Sequence, residues 1–336
     1  MAAELVHAGL ERDPRAGRRH VEQQGYAASR ESAGAEPIGL ELDRAVHEPL
    51  ELVGPKLLAS QEMPGQVRVL SWNLYHGRDS PPDPALFTWR SRVLRMTERN
   101  ATHAQVNRPL LDEFARVLDG LEWDVALLQE APPRWFDELA RRTGSNGIRV
   151  LTSRNVIPPL QARLADLNPD LIASSEGGSN QLLARDPLTI VEHRRLTLAR
   201  RPEQRRMHWA RIVLGDGSRL CAANLHASAG LPGRASLEVT RAAETALAWS
   251  GDDPLVFGGD LNLRPNRDPA TFDALRDNLG LGDPTAPDAI DHLLVRGLTV
   301  QSNPRRLAPE RRELTEPDGL RIRLSDHPPV AATFVT

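Results

Sequence analysis

Six short segments of this chain carry a water-preferring residue at or near the end of an apolar run. They are Leu70-Ser71-Trp72-Asn73, Leu127-Leu128-Gln129-Glu130, Ala223-Asn224-Leu225-His226, Phe257-Gly258-Gly259-Asp260-Leu261-Asn262, Ile290-Asp291-His292-Leu293-Leu294 and Leu324-Ser325-Asp326-His327. Asp, Glu and Asn are poor strand residues and costly to bury alone, so their recurrence at strand ends needs a common cause. If they converge on one rim of a core, a cation is the simplest way to make so many carboxylates tolerable. Oxygen ligands without thiolate favour a hard ion, Mg2+ or Mn2+. The single cysteine, Cys221, excludes an internal disulfide framework and a Cys-rich zinc site. It lies inside an apolar strand and reads as a small core residue.

The elements that must position these residues can be traced from the apolar pattern. Val67–Leu74 and Asp124–Glu130 are apolar on both faces, which predicts buried strands. Asn180–Ala184, Thr189–Thr197, His208–Leu214, Arg219–His226, Leu255–Gly259, Ile290–Val295 and Val330–Val335 also read as strands. Helices are expected over Val106–Leu121, Pro132–Arg142, Pro158–Leu167, Arg234–Trp249 and Pro269–Leu279, the second with proline in its first turn. Strands arriving singly, in pairs and then between helices predict an α/β fold of two packed sheets flanked by helices. Side chains alternate along a strand, so His292 points away from the face of Asp291 and reads as structural. Tyr75 and His76 follow Asn73 and suit either a cleft wall or packing.

Residues 1–62 differ from the rest, with 7 basic against 11 acidic side chains and Tyr26 as their one aromatic residue. So few large apolar groups cannot easily offset the entropy of ordering, and this segment is expected to be a dispensable, poorly ordered extension before a catalytic domain at 63–336. Met63 would then be the functional start. The whole chain of 336 residues is formally −3, which removes the composition argument for a polyanion-coating protein. No run approaches the ~18 apolar residues of a membrane helix, and the first residues lack a secretory apolar core. A cytoplasmic location is the default expectation.

In order and placement, the six segments resemble the endonuclease/exonuclease/phosphatase superfamily, which includes deoxyribonuclease I, abasic-site endonucleases, neutral sphingomyelinases and inositol-polyphosphate phosphatases. The resemblance spans roughly residues 66–335 and implies a four-layer sandwich of two packed mixed β-sheets flanked by helices. It implies Glu130 as the principal metal carboxylate, Asn73 as an amide contact beside it, and Asp326 as a further metal-side carboxylate. Asp260 matches the group that orients or deprotonates the attacking water, and Asn262 would contact phosphate oxygens. His327 resembles the catalytic histidine, held by Asp291. His226 matches a second histidine of the deoxyribonuclease I and sphingomyelinase-like branches; the abasic-site branch has a Tyr-x-Pro-Asn sequence there, which argues against abasic-site repair. The turn Glu176-Gly177-Gly178-Ser179-Asn180 resembles the family's Gly-Asn segment, implying Asn180 at the substrate. Arg206 resembles a phosphate-contacting arginine just before a strand.

The implied chemistry is Mg2+-dependent hydrolysis, with Mn2+ as an alternative ion. A phosphodiester repels hydroxide, so the site must supply positive charge and hold water in line. A histidine near neutral pKa can donate to the leaving oxygen, a contribution of ~10²–10⁴-fold. Nucleic acid is the preferred substrate because His226 and the arginines at 194, 195, 200, 201, 205, 206 and 211 suit a polyanion. A phospholipid, inositol phosphate or other small phosphoester is the competitor. Substrate choice would lie in loops 77–105, 153–180 and 262–290. A rival of another class is an inactive binding module with the same fold, and no nucleophile elbow supports a serine hydrolase.

Overall fold

The computed structural model describes residues 65–152, 158–200, 204–230 and 233–336. The extension expected over 1–62, and the start at Met63, lie outside the described residues.

Strand β1 (Gln66–Asn73) is followed by the short helix α1 (Trp89–Leu94) and a two-residue pair, β2 (Glu98–Arg99) with β3 (Ala104–Gln105). Helix α2 (Leu111–Gly120) starts later than the apolar spacing predicts, because Pro109 disfavours helical geometry in the residue before it. Strand β4 (Val125–Ala131), helix α3 (Phe136–Arg142) and strand β5 (Ser145–Leu151) come next. β5 was not expected from sequence, since Asn146, Gly147 and Arg149 interrupt its apolar run. Helices α4 (Pro158–Leu167) and α5 (Pro169–Glu176) lead into strands β6 (Ser179–Arg185), β7 (Thr189–Ala199), β8 (Arg205–Val213) and β9 (Arg219–His226). Helix α6 (Arg234–Ser250), strand β10 (Leu255–Asp260), helix α7 (Pro269–Asp277) and strands β11 (Asp291–Arg296) and β12 (Thr299–Arg306) follow. A small pair, β13 (Glu313–Thr315) with β14 (Arg321–Arg323), precedes the closing strand β15 (Val330–Val335).

Two mixed sheets form, ordered β12-β15-β1-β4-β6-β5 and β11-β10-β9-β8-β7. Alternation along the strands divides the core into three layers of contact. Val67 and Val69 of β1 face the second sheet, where they join Ala210, Ile212, Leu220 and Ala222. Leu70 and Trp72 face outward and are covered by Phe114 and Leu118 of α2. Cys221, Ala223 and Leu225 of β9 face the other way, under Val239 and Ala243 of α6. The result is the expected helix–sheet–sheet–helix sandwich, with Cys221 fully buried as a core residue.

Parallel pairing sets the site. β1 runs parallel to β4 with Asn73 opposite Gln129, so both strands end at the same rim. In the other sheet β9 and β10 are parallel with His226 opposite Asp260, and antiparallel β11 places Asp291 opposite Asp260. His226, Asp260 and Asp291 therefore stand in one row across three neighbouring strands.

Candidate metal-dependent active site

Glycine makes that row possible. A Cβ on Gly259 would stand 2.0 Å from the Leu225 carbonyl oxygen, and one on Gly258 would stand 2.4 Å from the His292 carbonyl oxygen. Each would push away the strand that carries a neighbouring site residue. The two glycines before Asp260 thus let β9 and β11 close on β10 from either side.

His327 arrives from the loop before β15. Its Nδ1 lies 2.9 Å from Asp291 Oδ2, and its Nε2 lies 3.9 Å from both Asp260 Oδ2 and Asp326 Oδ1. Ser325 fixes that loop: its hydroxyl donates to the Asn73 carbonyl at 2.6 Å and accepts the His327 N–H at 3.0 Å. The Trp72 indole donates to the His327 carbonyl at 3.0 Å. Burial opposes charging His327, but the hydrogen bond and charge of Asp291, aided by Asp260 and Asp326, outweigh it and push the pKa up to about 10. Burial and then the Asp291 carboxylate raise Asp260 to about 7. A charged acid and an available base are thereby set side by side.

His226 is held in the opposite state. Arg205 Nη1 lies 3.0 Å from its Nδ1, while its Nε2 faces Asp260 Oδ2 at 3.5 Å and Glu130 Oε1 at 3.7 Å. Burial first, then the charge of Arg205, drives its pKa well below the usual value. Glu130 is raised by burial and by Asp326, and His76 Nε2 lies 3.2 Å from its Oε2. Burial takes His76 down to about 3, so it is a neutral donor at the cleft wall.

The backbone is unusual at this rim. Six described non-glycine residues have φ in the left-handed region, and five of them, Tyr75, His76, Glu130, Asn262 and Ser325, lie in or beside the site. Such conformations cost about 1–3 kcal/mol each and persist where surrounding structure imposes them. Glu130 leaves its strand this way, at φ 46°.

The remaining expected residues divide. Asn73 donates to Asp260 Oδ2 at 3.0 Å and accepts the Tyr75 N–H at 2.9 Å, which ties the two sheets' carboxylate-bearing ends together. Asn262 is held locally: its N–H donates to Asp260 Oδ1 at 3.1 Å and its amide donates to the Ala227 carbonyl at 3.0 Å. Asn180 is fully buried and donates to the Arg206 carbonyl at 2.9 Å. Asp326 is the most exposed of the set, at 42% of its side chain. Arg206 does not precede β8 but lies within it, and its guanidinium donates to the Leu151 carbonyl at 3.0 Å. The strand begins three residues earlier than predicted, so alternation gives Arg205, not Arg206, to His226.

Sequence reasoning also missed a bridge under the site. Gln129 Nε2 donates to Asn224 Oδ1 at 2.8 Å, and Asn224 Nδ2 returns bonds to the Leu128 and Gln181 carbonyls at 2.9 and 2.8 Å. Both are fully buried and join the two sheets one or two residues from Glu130 and His226. His292 is structural as expected, accepting from the Thr285 N–H and facing the Leu263 and Ala289 carbonyls with Nε2. The arginine group is only partly available: Arg194 pairs with Glu192, and Arg211 pairs with Glu192 and Asp253. Arg201 lies outside the described residues.

Residues 70–327, most of the chain, match the sequence pattern of the Endonuclease/Exonuclease/phosphatase family. This chain belongs to that family. It is accordingly a phosphoesterase. Solved structures of endonuclease/exonuclease/phosphatase proteins share its fold. A family protein from Bacteroides thetaiotaomicron is 16% identical, with a TM-score of 0.55, over 81% of this chain and 98% of that one. A mannosyl-6-phosphatase from the same organism is 16% identical, with a TM-score of 0.55, over 80% and 100%. The human Nocturnin catalytic domain, solved with a sulfate anion, is 15% identical, with a TM-score of 0.53, over 81% and 95%. No curated protein matches the chain by sequence.

Members of this family use divalent metals, and the residues here fit one. The carboxylates of Asp260 and Asp291 gather with His327 so closely that one oxygen or nitrogen atom of each lies within 4.8 Å of the others. Asp291 Oδ1 is buried with no hydrogen-bond partner. Repulsion between Asp260 and Asp291 already raises the former. Unmet negative charge on hard oxygen atoms is what a hard cation relieves.

Proposed function

We propose that this phosphoesterase hydrolyses phosphodiester bonds with Mg2+ or Mn2+ bound, and that its substrate is a nucleic acid. The observation carrying the reading is the pair His327 and Asp260, an acid and a base 3.9 Å apart in one cleft. Glu130, Asn73 and Asp326, with Asp260 and Asp291, are the residues that would hold the ion. A bound cation supplies positive charge to phosphoryl oxygens. Asp260 takes the proton of the attacking water, and Asn262 sits beside it toward the phosphate. His327, kept charged and oriented by Asp291, gives its Nε2 proton to the leaving oxygen. His226 offers a neutral N–H to a phosphoryl oxygen.

The nucleic-acid reading is supported by positive charge beside His226. Arg205 touches that histidine, and Arg195 and Arg200 are near enough to lower the pKa of Arg206 after burial has done so. Asn180 anchors the backbone of Arg206 at this edge. A lipid or other small phosphoester is the second reading, favoured by the exposed apolar helices described below. Bis(p-nitrophenyl) phosphate turnover, with and without EDTA, tests the chemistry. A panel of DNA, RNA, phospholipid and sugar phosphate tests the substrate. Chelator-insensitive turnover would defeat the metal-dependent reading, and no turnover on any diester would favour an inactive binding module.

A further inference from the structure

Two helices at one corner of the molecule turn their apolar stripes outward. On α1, Trp89, Val93 and Leu94 are all exposed, Trp89 at 66%, and exposed Met96 follows just past the helix end. In α4, Leu160, Leu164 and Leu167 recur at helical spacing and are exposed, Leu167 at 60%, while Ala165 on the opposite side is buried. An amphipathic helix in a globular protein normally faces such a stripe to the core. Hydrogen bonds tie α1 to the end of α4. Asn107 Nδ2 donates to the Ser91 and Arg92 carbonyls of α1 and, at 2.7 Å, to Asn168 Oδ1 between α4 and α5. Asn168 in turn donates to the Arg92 carbonyl at 2.8 Å.

The charge on the α1 side of this surface is basic. Residues 87–97 include Arg90, Arg92 and Arg95, all exposed, and no acidic residue. None of the three forms an ion pair among the described residues. On α4, Arg163 is exposed, and the one carboxylate, Asp166, is also exposed and pairs with Arg134 at 2.7 Å. Exposed Trp, Leu, Val and Met beside arginines match a helix that lies in a headgroup boundary. Nucleic acid would use stacking planes, which Trp89 offers but the Leu, Val and Met side chains that make up most of the patch do not.

We propose that this corner seats the protein on an anionic lipid surface. The stripes of α1 and α4 enter the headgroup boundary, and Arg90, Arg92 and Arg95 meet lipid phosphates. From α4 the chain runs on through α5 and Glu176 to Gly178 at the cleft, where an added Cβ would stand 3.3 Å from Glu130 Cα. Docking is independent of the catalytic reading, since it is measured without turnover.

Full-length protein sedimented with phosphatidylcholine vesicles, with and without phosphatidylserine, tests the proposal. Binding is expected to the serine-containing vesicles and to fall with added salt. Trp89→Ser with Leu94→Ser, and separately Arg90→Gln with Arg92→Gln and Arg95→Gln, are expected to weaken it at least about tenfold while Tm stays unchanged. Failure to bind either vesicle, or undiminished binding by both variants, would overturn it. So would a salt-sensitive complex with single-stranded RNA in place of lipid, or a lipid-independent dimer abolished by Trp89→Ser.

Discussion

Arg205 Nη1 stands 3.0 Å from His226 Nδ1, and a guanidinium has only protons to offer. His226 must therefore accept at Nδ1 and carry its proton on Nε2, facing Glu130 and Asp260. It is a fixed neutral donor, which leaves the proton-giving role to His327. His226→Gln keeps an N–H donor and should retain at least about tenfold more kcat/KM than His226→Ala. Neither variant should move the alkaline limb of the pH profile. A shift of that limb in His226→Gln would show the roles reversed.

The Asp291 contact sets the upper pH limit. His327 is charged below its raised pKa of about 10 and loses its proton above it. In Asp291→Asn the main raising influence is gone and burial remains, so the pKa falls. The falling limb of kcat/KM should then move down by at least about one pH unit. An unchanged limb would separate Asp291 from His327.

Asp79 offers a stability prediction away from the site. It is buried, with Oδ2 accepting the Val106 N–H at 3.0 Å and Oδ1 without a partner. Burial raises its pKa well above the ordinary 3.8. The unfolded chain ionises first as pH rises through 3.8, so folding loses stability in that direction. Asp79→Asn should raise Tm at pH 8 by at least about 3 °C and change it little at pH 4. Calorimetry at the two pH values decides it.

Gly259 has φ 125° and no room for a side chain against Leu225. Gly259→Ala should cost at least about 2 kcal/mol in urea unfolding and separate His226 from Asp260. Near-native stability would mean that β9 and β10 can part without cost.

The carboxylates were legible because Asp or Glu at an apolar run violates a strong preference, and four such cases, with Asn73 and His226 placed alike, leave few explanations. The sandwich was legible because β1, β4, β9 and β10 are apolar on both faces. β5 and β12 were not, since edge strands tolerate Asn146, Gly147 and Pro304 that a central strand would refuse. Arg205 was hidden because arginine marks no strand boundary, and a one-residue error in register exchanges the two faces. The Gln129–Asn224 bridge was invisible for a different reason: it joins residues 95 positions apart. The left-handed turn at Glu130 has no signature in a residue that rarely adopts it.

The central claim is that carboxylates from both sheets share one divalent ion. Manganese binding to the purified protein, followed by electron paramagnetic resonance, tests it without any substrate. Wild-type protein should take up Mn2+, and Glu130→Gln combined with Asp260→Asn should weaken uptake at least about a hundredfold. Wild-type protein that leaves Mn2+ free in solution, or a double variant that binds it equally well, would contradict the account.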